Sequence, residues 1–185
     1  MSAAYSLFDT AIGRCGIAWR DDAVAGFVMC GSDETAAVSR LANRHQAQPG
    51  EPTPAIATVV ARVRRMLDGE RIDLADVPVT LDVPEFERRV YAALRLIPPG
   101  ETITYGALAE RVGSPGAAQA VGAAMGRNPI PVIIPCHRVL AGSGKSGGFS
   151  APGGVATKFR ILQIERAGRG EDGMLFDDLP LAVKG

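Results

Sequence analysis

Cysteine, histidine and aromatic residues are all scarce in this chain. It has 3 cysteines and 2 histidines in 185 residues, and only 5% of its residues are aromatic. An odd number of cysteines without a CxxC pair argues against a disulfide scaffold and is typical of a reducing compartment. Cys15, Cys30 and His45 do not have the spacing of zinc ligands, so we expect no metal site.

Long hydrophobic runs are also missing. No stretch approaches the roughly 18 apolar residues that a membrane-spanning helix needs, and the N-terminus has no basic segment followed by a long apolar run. We therefore expect a cytoplasmic protein that makes no membrane contact. Hydrophobic residues still make up 46% of the chain, which is enough to build the cores of one domain or two small ones.

The chain has no excess of positive or negative charge, because its net charge is zero. The acidic and basic residues are nevertheless unevenly distributed along it. Acidic residues dominate between Asp68 and Glu87, and basic residues dominate between Arg127 and Arg169. A basic half of this kind attracts polyanions such as nucleic acid, or is an ordinary solvated face. Charge alone does not decide between the two.

Residues 1–83 predict a small N-terminal domain that mixes strands and helices. Alternating apolar and polar residues predict successive antiparallel strands at 5–8, 16–19 and 25–29. Helical spacing of apolar residues predicts two helices, one beginning at 33–34 and one over about 54–67, joined by a loop at 46–52. Short extended pieces are predicted at 72–74 and 79–81.

From Pro84 the pattern becomes helical, which predicts a second domain over 84–170 and a loosely held tail over 171–185. Two short helices, 105–112 and 116–126, are joined by a glycine-containing turn, as in a helix-turn-helix. The second of them has no charged residue and little bulk, unlike a helix that reads bases in the major groove. Its small residues indicate close packing on another helix or entry into a narrow minor groove.

Cys136 follows an apolar run that is typical of a short buried strand, and Pro135 is expected to end that strand. The thiol is either a nucleophile or one more small buried side chain. An adjacent imidazole would lower its pKa. Neighbouring residues do not face each other in regular structure, so a bridging water or a tight turn would have to couple Cys136 to His137.

The glycine-rich segment 141–154 is a substrate loop or a flexible linker, and it lacks the spacing of a phosphate-binding loop. A last helix is predicted over about 156–167. Glu165 lies near the end of this helix, where the helix dipole disfavours a carboxylate. A specific partner for Glu165 is therefore expected.

The motif Pro-Cys-His-Arg-Val and the preceding Arg-Asn-Pro-Ile-Pro, together with Tyr105, Ser150 and Glu165, resemble the O6-alkylguanine-DNA alkyltransferases. The resemblance runs from about Pro84 to Glu165. It implies an α+β protein with an RNase H-like N-terminal domain, followed by a helix-rich catalytic domain with a helix-turn-helix. It also implies that the helix from Gly116 enters the minor groove of double-stranded DNA.

The resemblance implies irreversible, single-turnover transfer of the alkyl group from O6-alkylguanine, and from O4-alkylthymine, to Cys136 after base flipping. His137 would be the base acting through water, Glu165 would orient it, Tyr105 would assist the leaving guanine and Asn128 would brace the turn. The implied substrate-binding residues are Val139, whose carbonyl would select the exocyclic amine, and Ser150, Phe149 and Gly148. The implied DNA-binding residues are Thr104, Tyr105, Ala117, Gln119, Ala120, Gly122, Arg127 and Arg138. No metal or organic cofactor is implied, and we expect a monomer.

Two residues depart from the family pattern. Gln119 stands where the family usually has an arginine that fills the gap left by the flipped base, and Phe149 stands where some members have tyrosine. Two other functions compete with repair. One is a lesion-binding or regulatory protein without transfer, although such relatives replace the nucleophile, which this chain keeps. The other is transfer from free base, single strands or phosphotriesters.

Overall fold

The N-terminal half is built on one mixed sheet. The computed structural model describes residues 3–142 and 147–167. Strands β1 (Ala3–Thr10), β2 (Gly13–Arg20) and β3 (Ala23–Met29) form the predicted antiparallel meander. Helix α1 (Glu34–His45) then leads to β4 (Ala47–Pro49), which pairs with β1 in parallel and gives the order β3-β2-β1-β4.

Strand β4 corrects the prediction of a loop over 46–52. Its three residues pair with the first residues of β1, and Pro49 is the last of them. A three-residue edge strand has too few positions to show alternation, so its sequence does not distinguish it from a loop.

Helix α2 (Pro54–Leu67) covers the sheet and has the predicted bounds. Thr53 caps it by accepting a hydrogen bond from the backbone N–H of Ile56, and Pro54 stands at its start. The extended pieces predicted after α2 do not form named strands. Only Val79 pairs, in an isolated bridge with Val24.

The second half is helix-rich, as predicted. Its elements are α3 (Glu85–Arg95), β5 (Ile103–Thr104), α4 (Tyr105–Arg111), α5 (Ala118–Arg127), a 3₁₀ turn (Cys136–Arg138), β6 (Val139–Leu140) and α6 (Gly154–Ala167). Helices α4 and α5 form the predicted helix-turn-helix. Strands β5 and β6 pair in parallel, which brings the start of α4 beside the residues that follow Cys136.

The buried strand predicted before Cys136 is absent. Ile130 and residues 132–134 are buried as expected, but the segment forms a tight turn in which the N–H of Ile134 donates to the carbonyl of Ile130. Val132 has a positive φ of 75°. Pro129 and Pro131 have no N–H to donate to a strand ladder, so a turn satisfies this backbone better than a sheet does.

The two halves share one hydrophobic core, which extends from Phe8 to Ile161. The N–H of Phe27 in β3 donates to the carbonyl of Pro129, and Arg44 in α1 donates to the carbonyl of Arg127. The turn before Cys136 is therefore anchored on the N-terminal sheet. The predicted tail over 171–185, and the end of the second domain at 170, lie outside the described residues.

Over residues 3–142 and 147–167, no helix is both long and apolar enough to cross a membrane. Across the same residues, no group of three or more histidine, cysteine, aspartate and glutamate side chains is placed to hold a metal ion.

Candidate active site

Cys136 opens the 3₁₀ turn and lies on the wall of an open cavity. Its side chain is 5% exposed, and the cavity measures about 660 Å³. That volume is within the range of small-molecule pockets. The other lining residues come from α4, α5 and the glycine-rich loop and are Tyr105, Gly106, Ala118, Gln119, Gly122, Met125, Gly126, Ala141, Gly142, Gly148, Phe149 and Ser150.

Asn128 holds the turn that leads to the cysteine. Its side-chain Nδ2 donates to the carbonyl of Ile134 at 2.8 Å, and its Oδ1 accepts from the N–H of Ile130 at 3.0 Å. These bonds cross-link the two ends of a turn whose prolines and positive φ make it unfavourable by itself. The amide therefore fixes the backbone from which Cys136 projects.

His137 and Glu165 form a fully buried pair beside the cysteine. Nε2 of His137 lies 2.8 Å from Oε1 of Glu165. Burial alone would raise the pKa of Glu165, but the hydrogen bond from His137, together with the hydrogen bonds and positive charge of Arg138, lowers this pKa to about 2. The carboxylate is therefore ionised and can only accept, so Nε2 carries the proton. This leaves Nδ1 of His137 as an unprotonated acceptor, and within the described residues it has no hydrogen-bond partner.

His137 is neutral at rest, because burial lowers its pKa more strongly than Glu165 raises it. A neutral imidazole with a free Nδ1 lone pair can take up a proton, and the ionised Glu165 would stabilise the resulting cation. The predicted pairing of Glu165 is thus found, and its partners explain a carboxylate at the end of α6.

The structure corrects the expectation that Arg138 contacts DNA. Its side chain is only 3% exposed. Its guanidinium donates to both carboxylate oxygens of Glu165, with Nη2 at 2.7 Å from Oε1, and its Nη1 donates to the carbonyl of Ile97 at 2.5 Å. A buried arginine needs such partners, and they direct the side chain inward.

The Cys136 thiol is also neutral at rest. Burial raises its pKa, and this effect exceeds the lowering effects of the Asn128 side chain, the positive charge of Lys158 and nearby backbone N–H groups. The sequence predicted a lowered pKa from the adjacent imidazole. That imidazole is uncharged and faces Glu165, so it does not lower the thiol pKa.

Tyr105 begins α4 at the edge of the cavity, and Thr104 caps that helix by accepting from the N–H of Ala107. Burial raises the pKa of Tyr105, which keeps its hydroxyl protonated at neutral pH. A Cβ on Gly147 would lie 2.5 Å from the Tyr105 hydroxyl oxygen, so the absence of a side chain allows the loop to close on the tyrosine.

The loop over 147–153 supplies the opposite wall. Phe149 is half-buried against the core, whereas Gly148 and Ser150 are exposed. Pro152 packs on Gly31 of the N-terminal half, where a Cβ would lie 2.5 Å from the Cβ of Pro152. The N-terminal domain therefore supports the loop from outside. Residues 143–146 of the predicted loop lie outside the described part.

The helix-turn-helix residues predicted to bind DNA lie on an accessible surface beside the cavity. Gln119 and Ala120 are exposed on α5, and Ala117 and Gly122 are half-buried next to them. Arg127 is exposed at the end of α5, where it forms an ion pair with Glu87 at 2.7 Å. These placements leave the predicted DNA surface open around the cavity mouth.

Lys158 is the site residue that sequence reasoning missed. It is fully buried in α6, and its Nζ donates to the carbonyl of Val139 at 2.5 Å. The sequence does indicate that Lys158 lies on the buried face of α6, because it has helical spacing with Ile161, Leu162 and Glu165, which all face inward. A lysine is seldom fully buried, so its residue type alone predicts only a place in the basic region.

Comparison with known proteins identifies the family. Residues 85–167 match the family described as 6-O-methylguanine DNA methyltransferase, DNA binding domain. A Mycolicibacterium paratuberculosis relative named methylated-DNA–protein-cysteine methyltransferase is 39% identical over 94% of this chain and 98% of its own length. The chain belongs to the methylated-DNA–protein-cysteine methyltransferase family.

Solved structures agree over nearly the whole chain. The Mycobacterium tuberculosis O6-methylguanine methyltransferase is 33% identical, with a TM-score of 0.75 over 95% of this chain and 99% of that one. The M. tuberculosis protein OGT in complex with DNA has a TM-score of 0.73 and is 32% identical, covering 89% of this chain and 94% of that one. The expected α+β fold is thereby confirmed.

Proposed function

We propose that this chain repairs DNA by transferring the alkyl group from O6 of guanine to Sγ of Cys136. Its family makes it a DNA-binding repair protein and a methylated-DNA–protein-cysteine methyltransferase. The observation that carries the residue assignment is the position of Cys136. It lies on the wall of a base-sized cavity, directly followed by a histidine that is paired with a buried carboxylate.

The resting thiol is neutral, so its proton must leave as the sulfur attacks. Nδ1 of His137 receives this proton through a bridging water, and Glu165 stabilises the imidazolium that results. The sulfur attacks the alkyl carbon in line, so that the S–C bond forms as the C–O6 bond breaks. Tyr105 gives a proton to the leaving guanine, which departs as the neutral base, and solvent then returns a proton to the tyrosine as the imidazolium loses one. The thioether is stable, so each molecule acts once.

The lesion reaches this cavity when the base is flipped out of the duplex. A base inside the stack is inaccessible to Cys136, and extrusion costs a few kcal/mol. We assign the small residues of α5 to the minor groove, because Ala117, Ala120 and Gly122 permit close approach of the helix. Gln119 lies at the cavity mouth, where a side chain would fill the gap left by the flipped base.

The finer assignments belong to the same proposal. The strand order β3-β2-β1-β4, with β4 parallel to β1, supports an RNase H-like N-terminal domain. The protein would act as a monomer and would accept O4-alkylthymine as a second substrate. Val139, Gly148, Phe149 and Ser150 would contact the flipped base.

A lesion-binding protein without transfer is the competing function. It would need the cavity and the helix-turn-helix but not a nucleophile with a proton acceptor beside it. The combination of Cys136, His137 and Glu165 therefore favours transfer.

Substitution of the cysteine separates the two functions. Cys136→Ala should abolish transfer from a duplex with one O6-methylguanine and leave the affinity for that duplex nearly unchanged, since only the sulfur is lost. Transfer rate and affinity are measured on the same duplex, with Cys30→Ala as the matched control. Transfer by Cys136→Ala at the wild-type rate would overturn the proposal, and equal loss of affinity and transfer would make Cys136 a structural residue.

A further inference from the structure

The ammonium group of Lys158 joins two walls of the cavity. Besides its bond to the Val139 carbonyl, Nζ lies 3.5 Å from the carbonyl oxygen of Gly148 in the glycine-rich loop. It also lies 5.9 Å from the centroid of the Tyr105 ring. One side chain thus connects the strand after the cysteine, the loop that faces it and the tyrosine at the cavity edge.

This lysine is unfavourable as a mere filler of the core. Burial lowers its pKa from 10.5 to about 8, so the group is still mostly charged at neutral pH. An apolar side chain of similar length would fill the same space without the desolvation cost of a cation. The position of the ammonium therefore indicates a task that requires a hydrogen-bond donor.

In the proposed function, the carbonyl of Val139 contacts the substrate. Val139 directly follows the 3₁₀ turn that carries Cys136, and it pairs with Ile103 two residues before Tyr105. A carbonyl oxygen has two lone pairs, so a bond from Lys158 fixes its direction without by itself excluding a second donor. The exocyclic amine of guanine is such a donor.

We infer that Lys158 is a positioning residue that holds the Val139 carbonyl toward the exocyclic amine of the flipped guanine, and so contributes to selection of that base. The inference rests on the proposed function, in which Val139 contacts the base. Lys158 itself acts through the carbonyl and does not touch the reacting atoms. It therefore differs from His137, whose role is to move a proton.

The test compares two duplexes that differ only in the amine. One carries O6-methylguanine and the other O6-methylhypoxanthine, which lacks the 2-amino group. Single-turnover rates and half-saturating concentrations are measured for wild type, Lys158→Met and Arg160→Met. Arg160→Met is the matched control, because it removes an exposed cation from the same helix. Melting temperatures check the fold, and Lys158→Leu replaces the methionine variant if that one is unfolded.

Wild type and Arg160→Met should prefer O6-methylguanine by roughly three- to tenfold, the effect of one hydrogen bond. Lys158→Met should bring this preference close to one, because only the substrate that carries the amine loses an interaction. An equal fall of both rates, or an unchanged preference, would overturn the inference. Wild type that fails to transfer from either duplex would overturn the proposed function and the inference together.

The reaction of Cys136 with iodoacetamide separates this role from a direct electrostatic effect on the thiol. The positive charge of Lys158 lowers the thiol pKa, so Lys158→Met slows alkylation by iodoacetamide if thiolate stabilisation is its main role. If Lys158 positions the carbonyl, Lys158→Met should lower the preference for O6-methylguanine over O6-methylhypoxanthine by a larger factor than it lowers the rate of alkylation by iodoacetamide. Matching falls in iodoacetamide reactivity and in both transfer rates would contradict the inference.

Discussion

Nε2 of His137 lies 2.8 Å from Oε1 of Glu165, and both side chains are inaccessible to solvent. The same carboxylate is held by the guanidinium of Arg138 and accepts from the N–H of Gly100. Glu165 therefore has two tasks. In the proposed transfer it orients the imidazole, and it also neutralises a buried arginine.

Glu165→Gln should slow transfer and also destabilise the protein. The neutral amide no longer stabilises an imidazolium, and general base assistance contributes about 10²–10⁴ in rate. Arg138 is left buried without its counter-ion, which costs about 3–5 kcal/mol. Single-turnover kinetics and urea unfolding measure the two effects, with the exposed Gln163→Ala in the same helix as control. A rate within a few-fold of wild type would remove Glu165 from the relay.

Lys158→Met should change how stability depends on alkaline pH. The folded-state pKa of about 8 lies below the ordinary value of 10.5, so the folded protein binds fewer protons than the unfolded chain between these values. The contribution of Lys158 to the free energy of unfolding therefore rises by about 3 kcal/mol as the pH increases from about 8 to 10.5. The unfolding free energy of wild type minus that of Lys158→Met should therefore increase over this window. A difference independent of pH would contradict the lowered pKa.

Asn128→Ala should destabilise the turn before Cys136. It leaves the buried N–H of Ile130 without its partner, at about 1–3 kcal/mol. It also removes one of the two donors to the carbonyl of Ile134, which still accepts from the N–H of Cys136. Asn128→Asp keeps the acceptor for Ile130 but places a carboxylate oxygen against the carbonyl of Ile134, so its unfolding free energy should also fall below that of wild type. Equal stability of all three proteins would show that the amide does not brace the turn.

Most of the secondary structure could be predicted from the sequence, because it depends on local periodicity. The apolar spacing of α2 and α3 and the alternation in β1 to β3 are properties of short windows. Strand β4 and the turn at 130–134 were missed, since both depend on backbone pairing that side-chain patterns do not reveal.

The proposed catalytic residues were assigned from a motif, but the side chains that surround them were not predicted. Arg138 was assigned to DNA from the family resemblance. Its actual partner, Glu165, is 27 residues away, and only the docking of α6 brings them together. Lys158 was missed for the same reason. The packing of a helix against a turn, not residue type, decides where these cations point.

Gln119→Arg should raise the transfer rate on duplex DNA selectively. Arginine is longer, so it fills the gap of the flipped base better, and its charge is favoured in the minor groove. Single-stranded substrate should respond less, because it requires no extrusion from a duplex. Ala123→Arg is the matched control, since it adds a cation to α5 outside the cavity lining and separates charge from insertion. The salt dependence should steepen in both variants.

The same response of duplex and single-stranded substrates to Gln119→Arg would place this residue away from the flipped base. A fall in the duplex rate would have the same meaning. Either outcome would require another residue of α5 to occupy the gap.

The central claim, irreversible transfer to Cys136, is tested most directly by the intact mass of the protein after mixing with a duplex that carries one O6-methylguanine. The account predicts the mass of one added methyl group per protein molecule, located on the peptide that contains Cys136, and no further turnover with excess duplex. An unchanged mass, or a methyl group on Cys15 or Cys30, would contradict it.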